Sequence, residues 1–312
     1  MPRVIVCGPV FLDVVMSGLD GPPRLGEEQW VSDSQLTVGG AANQAVALTR
    51  LGINASLCSH IGTDLPGQIV VDVLTGYGVD TTLCEGGGDQ AMTVALSWSG
   101  DRALVSHGEL HTAMLPDSSP APDVLVGDLP NLAANDELIR RWRTAGTTVI
   151  GDIGWDATGR WDLADLAPLS LCDYFVPNEE EVRNYARVDD VFEAAEHLQT
   201  RLNPNCSFVV TRGPEGVIAH DEQWFEFPAL DVKFVDATGA GDAFGAGLAT
   251  GVALGANLRQ SVSLASTVSG LSVTRTGGAG STPTSADIRS LDIPLPAEYD
   301  LSFYDGELTQ GV

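Results

Sequence analysis

Short apolar runs alternate with amphipathic stretches of helical length along most of this chain, and that rhythm restricts the fold more than any other feature. The runs are "RVIVCG", "ASLCSHIG", "DVLVGDL", "TTVIGDI", "DYFVPN" and "CSFVVTRG". Between them lie "AANQAVALTRLG", "PGQIVVDVLTGYG", "ANDELIRRWRTAG", "EEEVRNYARV" and "VDDVFEAAEHLQTRL". Apolar strands joined by crossover helices read as βαβ units, so an α/β fold with a mainly parallel central sheet flanked by helices is expected. Two segments break the rhythm. Residues 14–36, with "GLDGPPRLGEEQW", and 88–112, with "AMTVALSWSGDRALVSHG", show short strand-like alternation around turn residues and predict a small antiparallel β lid. No tandem repeat or Pro-rich linker divides the chain, and the tail after Pro294 has no clear pattern. With 312 residues and 44% apolar content, one large domain over 1–312 is expected.

Lys plus Arg number 16 and Asp plus Glu 42, a formal charge of −26, which argues against nucleic acid or an anionic membrane as partner. The N-terminus lacks a long apolar signal segment, and no apolar run reaches the roughly 18 residues of a membrane span. Five cysteines, Cys7, Cys58, Cys84, Cys172 and Cys206, are scattered without a C-x-x-C and read as reduced thiols, which predicts a cytoplasmic location. The single lysine, Lys233, reads as genome composition rather than function. A chain this acidic must bind any anion by local geometry.

"VDATGAGDAF", residues 235–244, supplies such geometry. A helix N-terminus carries unpaired N–H groups and a partial positive charge, and it holds anions best where side chains do not block the backbone. The amides of Gly239, Ala240 and Gly241 are candidates for an anion hole, and Asp242 in the first turn sets a carboxylate beside them. The Walker pattern is absent, and G-x-G-x-x-x-G misses the dinucleotide fingerprint by one residue. The competing reading is that the glycines serve close helix packing and Asp242 caps a helix. Three further motifs stand with this one. "VGGAANQAVALTRLG" offers Gly39, Gly40 and Asn43 to a hydroxyl-rich ligand. "PNEEEV" puts Asn178 and Glu181 three apart at a helix start, and "TRGPEG" makes a strand-to-glycine loop over Thr211–Gly216.

Taken in order, Asp13 in "GPVFLD", "GGAANQA", "IGTDLPG", "PNEEE", "TRGPEG" and "DATGAGDAF" resemble the PfkB (ribokinase-like) carbohydrate kinases. The resemblance implies a ribokinase-like fold and transfer of the γ-phosphoryl of ATP to a sugar or nucleoside hydroxyl. It implies Asp242 as base and the Gly239–Gly241 amides as anion hole. Asp13, Gly39, Gly40 and Asn43 would hold acceptor hydroxyls. Asn178, Thr211, Gly213 and Gly216 would border the nucleotide, with Asn178 and Glu181 acting on Mg²⁺ and its waters. A monovalent cation, K⁺, would sit by Asp236 and Thr238, with Ser272, Arg275, Gly277 and Ser281 from the later "SVTRTGGAGS"; the alternative is that Asp236 caps its turn. Asp64 of "IGTDLPG" reads equally as a turn residue or a ligand contact. Family members commonly carry a lysine after the double glycine, where this chain has Ala41. Together with the scarcity of arginine beyond Arg24 and Arg102 in this half, that favours an unphosphorylated sugar as acceptor. A nucleoside is the runner-up, and a non-catalytic sugar- or nucleotide-binding protein the reading from another class. Phe11, Trp30, Trp98 and His107 could stack on a nucleobase or pair within the lid. An exposed lid edge points to a homodimer.

Overall fold

The computed structural model describes residues 1–98, 101–154, 156 and 158–305; Ser99 and Gly100 of the 88–112 segment, and the side chains of Asp101, Arg102 and Asp305, lie outside the described residues. Only Gly8 and Pro9 separate β1 (Arg3–Cys7) from β2 (Val10–Leu19), which is followed by β3 (Asp33–Gly40) and α1 (Ala41–Arg50). Next come β4 (Asn54–Cys58), β5 (His60–Ile61), α2 (Leu65–Gly76), β6 (Glu85–Gly86), β7 (Met92–Trp98) and β8 (Asp101–His107). The middle of the chain holds β9 (Val124–Asp128), α3 (Leu129–Ala134), α4 (Asp136–Thr144), β10 (Thr148–Asp152), β11 (Tyr174–Phe175), α5 (Glu179–Ala186) and α6 (Val191–Leu202). It closes with β12 (Ser207–Thr211), β13 (Val217–His220), β14 (Trp224–Phe227), α7 (Ala240–Ala253), α8 (Leu258–Ser272), α9 (Gly278–Ser281) and α10 (Ser285–Arg289).

The central sheet runs β14-β13-β12-β11-β10-β9-β1-β4. From β4 to β12 neighbours pair in parallel, and β13 and β14 close one edge antiparallel. Apolar residues succeed one another without polar breaks because both faces are covered. Val4 and Val6 face a core shared with α1, α2, α7 and α8, while Ile5 and Cys7 face a second core shared with α3 to α6. Val124 and Val126 against Leu125 repeat the alternation, as does Val209 against Phe208 and Val210. Each such buried side chain contributes about 1.5–3 kcal/mol of transfer free energy.

The lid is a four-stranded sheet, β3-β2-β7-β8. It is wider than the sequence pattern suggests: its strands begin at Val10 rather than residue 14 and extend to Gly40 rather than residue 36, while β7 and β8 fall within 88–112. The chain passes from one sheet to the other across Gly8 and Pro9 with no turn to mark the change. The β2–β3 and β7–β8 pairs are antiparallel, but β2 and β7 run parallel. Leu36, Val14, Val94 and Val105 stand in one register row on the face opposite Asp13. Leu36 and Val105 at the two edge strands are exposed.

Candidate active site

The carboxyl ends of parallel strands, where open α/β sheets bind ligands, open here onto a cleft of about 260 Å³. Asp152, Asn178, Glu181, Thr211, Gly241 and Asp242 are among its lining residues. The α7 helix enters it through Gly239, whose φ of 78° and 3.2 Å approach of a would-be Cβ to the Gly278 backbone both demand glycine. Ala240 N–H donates to the Ala237 carbonyl at 3.1 Å, closing the turn before the helix. Among the three residues of the expected anion hole, the Ala240 amide is thus already engaged. At Gly241 an added Cβ would meet nothing within 4 Å, so the backbone there lies open to a ligand.

Asp242, in the first turn of α7, accepts a hydrogen bond at Oδ2 from Asn43 Nδ2 at 2.9 Å, tying the starts of α1 and α7 together. Asn43 is buried and its Oδ1 has no hydrogen-bond partner. Asp13 lies over the backbone of Gly39, where a Cβ would come within 2.3 Å of its Oδ2. Burial, and secondarily the charge of Asp242, push the Asp13 carboxyl up to about 6. Gly40, with φ 62° and a would-be Cβ 2.4 Å from the Pro9 carbonyl, turns the chain from β3 into α1. Asp13, Gly39, Asn43 and Asp242 are therefore brought together as the sequence suggests.

On the other side, Asn178 and Glu181 form a reciprocal capping box at α5: Glu181 Oε2 accepts from Asn178 N–H at 2.8 Å and Asn178 Oδ1 from Glu181 N–H at 2.9 Å. The box fixes Glu181 at the cleft. Burial raises its carboxyl to about 7. Thr211 joins Asn178 through a strand bridge. Gly213, with φ 53°, has open space where a Cβ would sit, whereas Gly216 is required by the Phe227 carbonyl 2.0 Å from its would-be Cβ.

Asp152, which the sequence reading did not single out, stands half-buried at the floor of the cleft at the end of β10. Its carboxyl is held well above the ordinary range, first by burial and then by the charges of Glu181 and Asp242. Ile153 N–H and Gln44 Nε2 donate to it, at 2.7 and 3.4 Å. Its register partner across β9 is Asp128, whose carboxyl is also raised by burial and which caps α3 through Asn131 N–H at 2.8 Å. The signal was present: "VLVGDL" and "TTVIGDI" each end an apolar parallel strand in aspartate. None of the described lining residues is Lys or Arg. Asp152, Glu181 and Asp242 line the cleft without a cationic side chain, yet no three carboxylates, histidines or cysteines among the described residues stand close enough together to hold an ion directly, so these oxygens fit a divalent cation such as Mg²⁺ only through its waters.

Asp236 joins two loops. Its Oδ1 accepts from Thr238 N–H and Oγ1 at 3.0 and 2.8 Å, and its Oδ2 from Gly277 N–H at 2.9 Å. Ser272 and Ser281 turn their hydroxyls onto the Ser269 and Gly278 carbonyls, both at 2.7 Å, and Arg275 is exposed. Asp64 caps α2, accepting from Gly67 N–H at 3.1 Å, which is the turn role. Phe11 lies against Gly40, Trp98 is half-buried in β7, and Trp30 is 84% exposed.

A ribokinase from Lactococcus lactis is 27% identical over 306 residues, covering 93% of this chain and 97% of its own length. An ATP-dependent ribose-1-phosphate kinase from Halopiger xanaduensis is 28% identical over 256 residues, covering 78% of this chain and 82% of its own. The crystal structure of ribokinase from Thermotoga maritima superposes with a TM-score of 0.76 at 22% identity, over 93% of this chain and 99% of that one, so the fold is ribokinase-like. The family model of the pfkB family carbohydrate kinases matches residues 19–285. By that match, across both lid and cleft, the chain belongs to the pfkB family of carbohydrate kinases.

Proposed function

We propose that residues 1–312 act as one kinase domain that transfers the γ-phosphoryl group of ATP to a hydroxyl of an unphosphorylated sugar or sugar derivative. The observation that carries the reading is Asp242, held by Asn43 at the start of α7 beside the open backbone of Gly241. Asp242 takes the proton of the acceptor hydroxyl as the new O–P bond forms and the bond to the β-bridging oxygen breaks, releasing ADP. The amides of Gly239 and Gly241 and the positive end of α7 would face the charge on the transferring group, and the Ala240 amide would join them only by leaving the Ala237 carbonyl. Asp13, Gly39, Gly40 and Asn43 hold the acceptor; Asn178, Thr211, Gly213 and Gly216 border the nucleotide. Asn178 and Glu181, with Asp152 beside them, would hold Mg²⁺ through its waters. Mg²⁺ neutralises phosphate charge that this acidic chain cannot.

The Halopiger relative is a kinase of ribose 1-phosphate, but the scarcity of Lys and Arg in the half of this chain that carries Asp13, Gly39, Gly40 and Asn43 supports a neutral acceptor. The apolar row Leu36, Val14, Val94 and Val105 supports a homodimer in which two lids pack face to face. The test of the function is ADP release with ATP and Mg²⁺ over pentoses, hexoses, sugar acids and nucleosides, repeated with Asp242→Asn. A folded Asp242→Asn protein should bind ATP normally and turn over on the order of 10²–10⁴ more slowly. Turnover equal to wild type would remove Asp242 as base, and transfer to nucleosides alone would replace the sugar reading.

A further inference from the structure

All four lid strands leave the body of the protein at one place. β2 starts at Val10 and β7 at Met92. β8 ends beside Gly108, whose added Cβ would lie 2.7 Å from Ala91 Cα, and β3 ends at Gly40 against the Pro9 carbonyl. At the centre stands the side chain of Gln90, 4% exposed. Its Nε2 donates to the carbonyls of Val10 at 2.7 Å and Ala91 at 3.2 Å, and its Oε1 accepts from Gly62 N–H at 3.0 Å. Its own backbone N–H donates to Asp64 Oδ1 at 3.2 Å, the carboxylate that caps α2. The Ala91 carbonyl also receives Leu12 N–H at 2.9 Å. Gly62 must be glycine for this approach, since a Cβ there would lie 2.4 Å from Gln90 N. One buried amide thus binds two lid strands to the body, and nothing in the chemistry above uses it.

We propose that Gln90 is the pin of the lid, a positioning residue that fixes the angle of β2 and so the place of Asp13 relative to Asp242. The inference rests on the reading of Asp13 as an acceptor ligand. Asp13 lies three residues along β2 from Val10, about 10 Å at the usual rise of a strand, so a tilt of about 10° at the pin displaces it by about 2 Å. A misplacement of about 1 Å at a reacting centre lowers rates by about 10²-fold. Asn178, Glu181 and Thr211 stand on elements that the pin does not touch, so the nucleotide side is unaffected.

The experiment compares Gln90→Met, which keeps the volume and removes all three side-chain hydrogen bonds, and Gln90→Glu, which keeps Oε1 and loses both donor bonds. The readouts are acceptor KM, ADP affinity without acceptor, and amide hydrogen exchange. The pin requires an acceptor KM raised by about tenfold or more, ADP affinity within about twofold of wild type, and faster exchange over 10–19 and 92–98 with β9 and β10 unchanged. Wild-type KM and exchange in Gln90→Met overturn it. So does equal weakening of both substrates, or failure of both variants to fold, since Gln90 would then hold the fold rather than an angle. A wild-type enzyme that phosphorylates no sugar or nucleoside brings down the proposed function instead, and the exchange comparison still decides the pin.

Discussion

Asp13 illustrates how much one carboxylate can be asked to do. Its folded pKa of about 6 exceeds that of an exposed aspartate, so the folded protein binds this proton more tightly than the unfolded chain does. The stability it contributes is therefore present at low pH and is lost as pH rises through about 6. Asp13→Asn should stabilise the protein by about 1–3 kcal/mol at pH 8 and not at pH 4, measured by urea unfolding at both. The same substitution should raise acceptor KM strongly with ATP affinity unchanged, and it should abolish the fall in acceptor kcat/KM expected of the wild type below about pH 6. A variant no more stable at pH 8 than wild type would show that Asp13 is better solvated than its burial indicates. The motif residues Asp13, Asn43 and Asp242 were legible because each stands in a short, distinctive string. Asp152 and Asp128 were not, because an aspartate closing an apolar strand looks like any turn residue until the register sets two of them side by side.

At the scale of elements, the glycines of "TGAGDAFGAGLATG" divide into two kinds that sequence alone does not separate. At Gly247 and Gly251 an added Cβ would lie 2.6 and 2.7 Å from the Cα atoms of Ala265 and Ser261, so these glycines let α7 and α8 touch backbone to backbone. The helix-packing reading is right for them, whereas Gly241 faces open space. Gly251→Ala gains about 1 kcal/mol of helix propensity but loses about 1–3 kcal/mol to overpacking, a net loss in urea unfolding. Gly241→Ala, by contrast, should match or exceed wild-type stability while lowering turnover at least about tenfold, because its methyl group occupies the phosphoryl approach. A destabilised but fully active Gly241→Ala would reverse the two roles. The Asp236 link between the loops before α7 and α9 already supplies part of the order expected from K⁺. We expect a remaining dependence: turnover at fixed ionic strength should fall when KCl is exchanged for tetramethylammonium chloride. Equal wild-type rates in the two salts leave Asp236 as a cap alone.

Over the whole molecule the charge of −26 acts against compactness, and few arginines are present to offset it. Raising salt from about 0.1 to 1 M shortens the screening length from about 10 to 3 Å, so the thermal midpoint should climb with KCl and climb equally with NaCl. A midpoint that falls over this range would show that specific ion pairs outweigh the general repulsion. The alternation of strands and helices made the parallel sheet legible, but the β2–β7 pairing was not, because nothing local announces that two distant strands will lie parallel. The sheet order has a consequence for synthesis. β1 lies between β4 and β9, and from β9 onward each strand to β14 is laid on the same growing edge in the order in which the ribosome makes it. Asp13 and Asn43 are thus made early and wait for their partner. A nascent chain that stops short of α7 would carry the lid and the whole central sheet but no Asp242, so on the proposed reading nearly all of its frame exists before it can spend ATP.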